Sequence, residues 1–152
     1  PGLTVPTDAQ ALKLGYHYVI YGPDLGIAYA ATTITTRRSI IAKRGPVVGR
    51  FMRAMAEAAK IMHTDKETMY KVMGKYLRVD DRKLLEASYN VESKALEPRL
   101  AIKLEGIQST LDEIAPIEPR AKAVKPQDMI DTRYLDEMEK SGFFEQIWAG
   151  KK

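Results

Sequence analysis

The run His17-Tyr18-Val19-Ile20-Tyr21 leads into the turn cluster Gly22-Pro23-Asp24-Leu25-Gly26, and a second run follows from Tyr29 to Ile34 with Thr35 and Thr36. Both runs are rich in aromatic and β-branched residues, and Gly and Pro punctuate the stretch between them. They are therefore expected to be strands, and they are the only convincing ones in the chain. Upstream, Thr7 to Leu14 reads as a short helix, with Thr7 and Gln10 at capping-box spacing and Gly15 able to take the left-handed closing position.

From Arg37 onward the pattern is helical. Pro46 suits a first helical position, and Val48, Phe51, Met52, Met55, Ala58, Ala59 and Met62 recur at spacings of three and four along one face. His63-Thr64-Asp65 breaks this helix, and Thr64 with Glu67 is expected to cap the next, which carries Met69, Val72, Met73, Tyr76 and Leu77. Asp80 is expected to cap a third with Leu84, Leu85 and Tyr89. The segment from Glu92 to Ala101 contains Pro98 and reads as a connector. Leu104, Ile107, Leu111 and Ile114 mark a fourth helix ending near Pro116. A loop without periodicity follows to Pro126, then a last helix from about Arg133 to Lys140, closed by Gly142, with an apolar end at Phe143, Phe144, Ile147 and Trp148. The methionines fall at core-facing spacings and are expected to be packing residues.

Two strands cannot make an independently stable sheet, yet these amphipathic helices need an apolar surface to cover. An α/β fold is therefore expected, with this chain as the C-terminal part of a larger protein whose other strands lie upstream. Pro1 to Pro6 has neither a basic leader nor an apolar run, so no signal peptide is read there.

Composition narrows the function. The chain has 152 residues and no cysteine, with 24 Lys and Arg against 20 Asp and Glu, a net charge of +4. The size fits one domain, and the absence of cysteine removes disulfides and thiolate metal sites. Acidic residues are dispersed among the basic ones, so no nucleic-acid partner is expected. No stretch approaches the roughly 20 apolar residues needed to span a bilayer. There is no Gly-x-Ser-x-Gly elbow, phosphate loop or His-x-x-x-His pair. Asp80-Asp81, Asp112-Glu113 and Asp136-Glu137 are sequence neighbours, which on a helix point in different directions. No catalytic residue, metal or cofactor is expected. Any ligand contact is placed at Asp24 to Tyr29 and along the hydroxyl-bearing strand of Thr32, Thr33, Thr35 and Thr36.

In this order the pieces resemble the C-terminal half of the periplasmic solute-binding proteins of ABC importers, in the branch that binds nitrate, sulfonates, taurine and pyrimidine precursors. The residues that carry the resemblance are Ala11 with Leu14-Gly15-Tyr16, Leu25-Gly26-Ile27-Ala28-Tyr29 and Thr35-Thr36-Arg37. They continue with Pro46-Val47-Val48, Phe51, Arg53-Ala54, Glu57-Ala58 and His63-Thr64-Asp65. The closing set is Glu105-Gly106-Ile107-Gln108, Lys125-Pro126 with Asp128 and Asp131, Tyr134-Leu135, Met138 and Ser141-Gly142-Phe143.

The resemblance implies a type II periplasmic-binding fold, two α/β lobes with the ligand between them. Residues 1–22 would end the second lobe, 23–36 would form the hinge or crossover, and 37–152 the helical C-terminal part of the first lobe. It implies a non-enzymatic protein outside the cytoplasm that captures a small solute and delivers it to the permease subunits. Asp24, Tyr29, Thr33 and Arg37 would lie nearest the cleft, with Tyr29 offering a ring and hydroxyl and Arg37 a charge for an anionic solute. Two other readings stand beside it. One is an enzyme related to pyrimidine-precursor synthases, for which His17 is the candidate group. The other is a stand-alone helical interaction domain that covers its apolar surface as a homodimer.

Overall fold

The computed structural model describes residues 2–30 and 33–149. In chain order the helices are α1 (Thr7–Lys13), α2 (Arg38–Thr64), α3 (Lys66–Leu77), α4 (Arg82–Ala95), α5 (Leu104–Ile114), α6 (Pro126–Met129), α7 (Arg133–Lys140) and α8 (Phe143–Trp148). Two short 3₁₀ turns occupy Gly22–Leu25 and Pro119–Ala123.

No strand forms among the described residues. This corrects the expectation of an α/β chain and of a type II periplasmic-binding fold; the protein is a mostly helical small domain. The reason is the one that makes isolated strands rare: a strand exists only through a ladder to a neighbour, and these two runs do not pair. The first run is interrupted by a bend at Val19. Residues 27–30 and 33–37 continue without helix, turn or bend, and no backbone hydrogen bond joins 27–30 or 33–36 to any described residue.

The helices follow the hydrophobic periodicity, but their caps sit elsewhere. No side chain caps α1; its start is closed by the Thr7 amide donating to the Thr4 carbonyl at 2.8 Å. Helix α3 is capped by Asp65, which accepts from the Thr68 amide at 3.0 Å, while the Thr64 hydroxyl turns back to the Lys60 carbonyl. Helix α4 is capped by Asp81, which accepts from the Lys83 and Leu84 amides at 2.8 and 3.3 Å. In each case the cap lies one residue beyond the expected one: at α3 a carboxylate replaces a hydroxyl that turns back to Lys60, and at α4 it is Asp81 rather than Asp80 that reaches the free amides. Helix α2 is kinked at Arg44, whose φ of −132° is not helical, and Pro46 follows where the helix resumes. The expected loop to Pro126 contains instead the second 3₁₀ turn, with α6 beginning at that proline.

The chain forms two compact units, residues 1–20 with 56–100 and residues 21–55 with 101–152. In the first, Tyr70, Val79, Leu84 and Leu85 form the core, with Ala9, Met73 and Tyr89 packed against it. The Tyr70 and Tyr89 rings meet edge to face at 5.7 Å, and the Tyr89 hydroxyl donates to the Met62 carbonyl at 2.8 Å. In the second, Leu111, Ala115 and Ala121 with Ile107 tie α5 to the turn at Pro119–Ala123, while Met138 on α7 and Phe144 on α8 are fully buried. Gly142, at a φ of 71°, makes the left-handed turn between α7 and α8.

Candidate functional site

The four residues singled out for ligand contact all lie in the second unit, on one stretch of chain. Asp24 belongs to the first 3₁₀ turn, whose end is set by Gly26 in the left-handed region. Tyr29 and Thr33 lie on the unpaired run, and Arg37 immediately precedes α2. All four are exposed. Thr32 lies outside the described residues. The structure thus places the four on one stretch of chain, each of them exposed.

At one point this stretch passes close to a glycine of α5. A Cβ built on Gly106 of α5 would lie 2.9 Å from the Ala30 amide nitrogen and 3.0 Å from the Tyr29 carbonyl carbon. The main chain at 29–30 therefore crosses α5 at a spot that only glycine leaves open. The close approach is made by main chain, and the four side chains stay exposed. Asp24, Tyr29 and Arg37 make no side-chain hydrogen bond or ion pair among the described residues, and Thr33 shares only a 3.3 Å hydroxyl contact with Thr35.

The same helix walls a groove that the sequence reading passed over, a cavity of about 570 Å³. Its floor includes the buried Leu111 and Ala121. Glu105, Gln108 and Asp112 stand on the helix side, with Lys122 and Lys125 among the other lining residues. The Gln108 amide donates to Asp112 at 2.8 Å and fixes that wall. None of the four expected residues lines this groove. Its sequence signal was the spacing of 105, 108 and 112, one polar face of a helix opposite a lysine-bearing loop.

The densest charge cluster lies in the first unit, between α3 and α4. Lys66 pairs with Glu86 at 3.0 Å and stands 5.4 Å from the centres of both the Tyr70 and Tyr89 rings. Arg82 donates to Glu67 from both terminal guanidinium nitrogens and lies 4.9 Å over the Tyr70 ring. The Tyr70 hydroxyl and the Glu86 carboxylate hold the Lys66 ammonium above its usual range. Arg82 holds Glu67 below the ordinary carboxylate range, and Lys66 does the same for Glu86. The two ion pairs, Lys66 with Glu86 and Arg82 with Glu67, face solvent over the buried Tyr70 ring, which is the pattern of a structural network rather than a reactive site.

The histidines follow suit. His63 contacts the Leu96 carbonyl at 3.0 Å, and His17 is exposed on an irregular segment. Among the described residues no cluster of His, Asp and Glu could hold a metal ion, and no helix is long and apolar enough to cross a membrane. No protein-family model, curated protein or solved structure matches the chain.

Proposed function

We propose that the chain is the solute-capturing, non-catalytic component of an uptake system, taking up a small solute outside the cytoplasm and handing it to membrane permease subunits. The reading rests on the ordered resemblance set out above. The observation that carries it is the Gly106 contact, where two of the resembling motifs meet, Glu105 to Gln108 against Leu25 to Tyr29. A loop segment whose polar side chains are exposed and uncommitted is suited to recognition. Asp24, Tyr29, Thr33 and Arg37 are the contacts. Arg37 gives a fixed positive charge with planar donors, and the Tyr29 ring adds an apolar face with a hydroxyl at its tip. An anionic solute fits this set best.

Equilibrium dialysis of the purified chain against nitrate, taurine and other sulfonates, and pyrimidine precursors tests the reading. One class is expected to bind, with affinity at least about tenfold weaker in Tyr29→Ala. No binding across the panel, or unchanged affinity in that variant, overturns it.

A further inference from the structure

Past its kink at Arg44, α2 buries one face and leaves another bare. Ala56 and Ala59 are buried, whereas Val47, Phe51, Ala54, Ala58 and Ile61 are exposed, with Val47 50%, Phe51 49% and Ile61 41% accessible. Those five positions succeed one another at spacings of four, three, four and three, which on a helix is the seam of a coiled coil. Arg50 and Glu57 flank the seam one heptad apart. Both are exposed, and neither side chain is hydrogen-bonded or ion-paired among the described residues. The helix already exists within the fold, so pairing along the seam carries no cost of forming it.

The flanking charges say what covers it. A second copy laid antiparallel so that facing positions sum to 105 sets Phe51 against Ala54 and Val47 against Ala58, a large residue against a small one in every layer. In that register Arg50 of each copy lies about 3 Å along the axis from Glu57 of the other. Sliding one heptad in either direction instead brings Glu57 against Glu57 or Arg50 against Arg50. A parallel pair would set Phe51 against itself and Arg50 beside Met55, with no charge matched. We propose that the occupant of this face is a second copy of the chain, α2 packed antiparallel on α2 in the register that joins Arg50 to Glu57, giving a two-fold dimer with two such pairs. This goes beyond the solute reading and its test uses no solute, so either can fail alone.

The chain has no cysteine, so introduced thiols report one contact at a time. Copies carrying Val47→Cys mixed with copies carrying Ala58→Cys are expected to form the mixed disulfide on oxidation. Either homodisulfide would have to bridge about 16 Å along the axis and is not expected. By analytical ultracentrifugation, R50E or E57R is expected to weaken the dimer by about tenfold, since each turns two attractive pairs into repulsive ones. The double exchange R50E/E57R restores it. A monomer at high micromolar concentration, a homodisulfide at position 47 or 58, preferred crosslinking of Ala54→Cys with Ala58→Cys, or a double exchange no better than the singles overturns the proposal. Circular dichroism of each variant separates loss of pairing from loss of fold.

Discussion

Gly106 and Ala30 approach so closely that a methyl group on the glycine would stand 2.9 Å from the alanine's amide nitrogen. The atom in the way is main chain and cannot swing aside as a side chain tip could. Gly106→Ala is therefore expected to lift the 29–30 segment from α5 and to cost about 1–3 kcal/mol, despite the better helix propensity of alanine. Gly49 on α2 provides the control, because its Cβ would rest 3.4 Å from the Tyr134 ring. Gly49→Ala is expected to be neutral or to stabilise by up to about 1 kcal/mol. Thermal unfolding of the two variants, with limited proteolysis near residue 30, checks the contrast.

Each unit has its own apolar centre. Leu85 is 7% exposed within the first core, and Leu85→Ala is expected to cost about 2–5 kcal/mol. Phe144, fully buried at the start of α8, is expected to cost about 3–5 kcal/mol as Phe144→Ala. Surface changes such as Tyr76→Ala, on a side chain that is mostly exposed, should stay within about 0.5 kcal/mol. Denaturant titration reads all three.

Acid should weaken the first unit. Asp65, Glu67, Asp81 and Glu86 all have carboxyls held below their ordinary values, by Thr68, Arg82, Lys13 and Lys66 respectively as the leading partners. A depressed carboxylate contributes stability that is present above its unfolded value and is lost as pH falls through its folded one. The thermal midpoint is thus expected to be flat from neutrality to about pH 5 and to fall below it. Lys66 behaves in the opposite sense: its raised value keeps its contribution through neutral pH and releases it only in strong alkali. Because these groups are exposed, added salt should flatten the acid limb. Arg82→Ala should shrink it, and a midpoint that rises on acidification would show that the pairing does not hold the fold.

The helices were legible because their apolar residues recur at helical spacing over long stretches; α5 and α7 fall where Leu104 to Ile114 and Arg133 to Lys140 placed them. Caps were less legible, since Thr64 or Asp65, and Asp80 or Asp81, differ by one residue and the choice depends on which backbone amide each side chain reaches. The strands failed for a deeper reason. Tyr18, Val19, Ile27 and Ile34 carry strand propensity, but a strand is a relation between two segments, and propensity reports only one of them. The Asp24 to Arg37 stretch was visible as a candidate from its turn residues and hydroxyls. Its close approach to Gly106 was not, because a contact between residues 76 positions apart leaves no local trace. The groove beside α5 lies within residues 104–127, and its signal was the polar face at 105, 108 and 112, which reads equally well as an ordinary solvated helix face.

Solute recognition is proposed for the segment from Asp24 to Arg37. Equilibrium dialysis of the wild-type chain and of Tyr29→Ala against the anionic panel, with solute quantified on both sides of the membrane, tests it most directly. Saturable binding of one solute class by the wild type is expected, with a loss of at least about tenfold in the variant. Binding that survives Tyr29→Ala unchanged, or no binding by the folded wild-type chain, would contradict it.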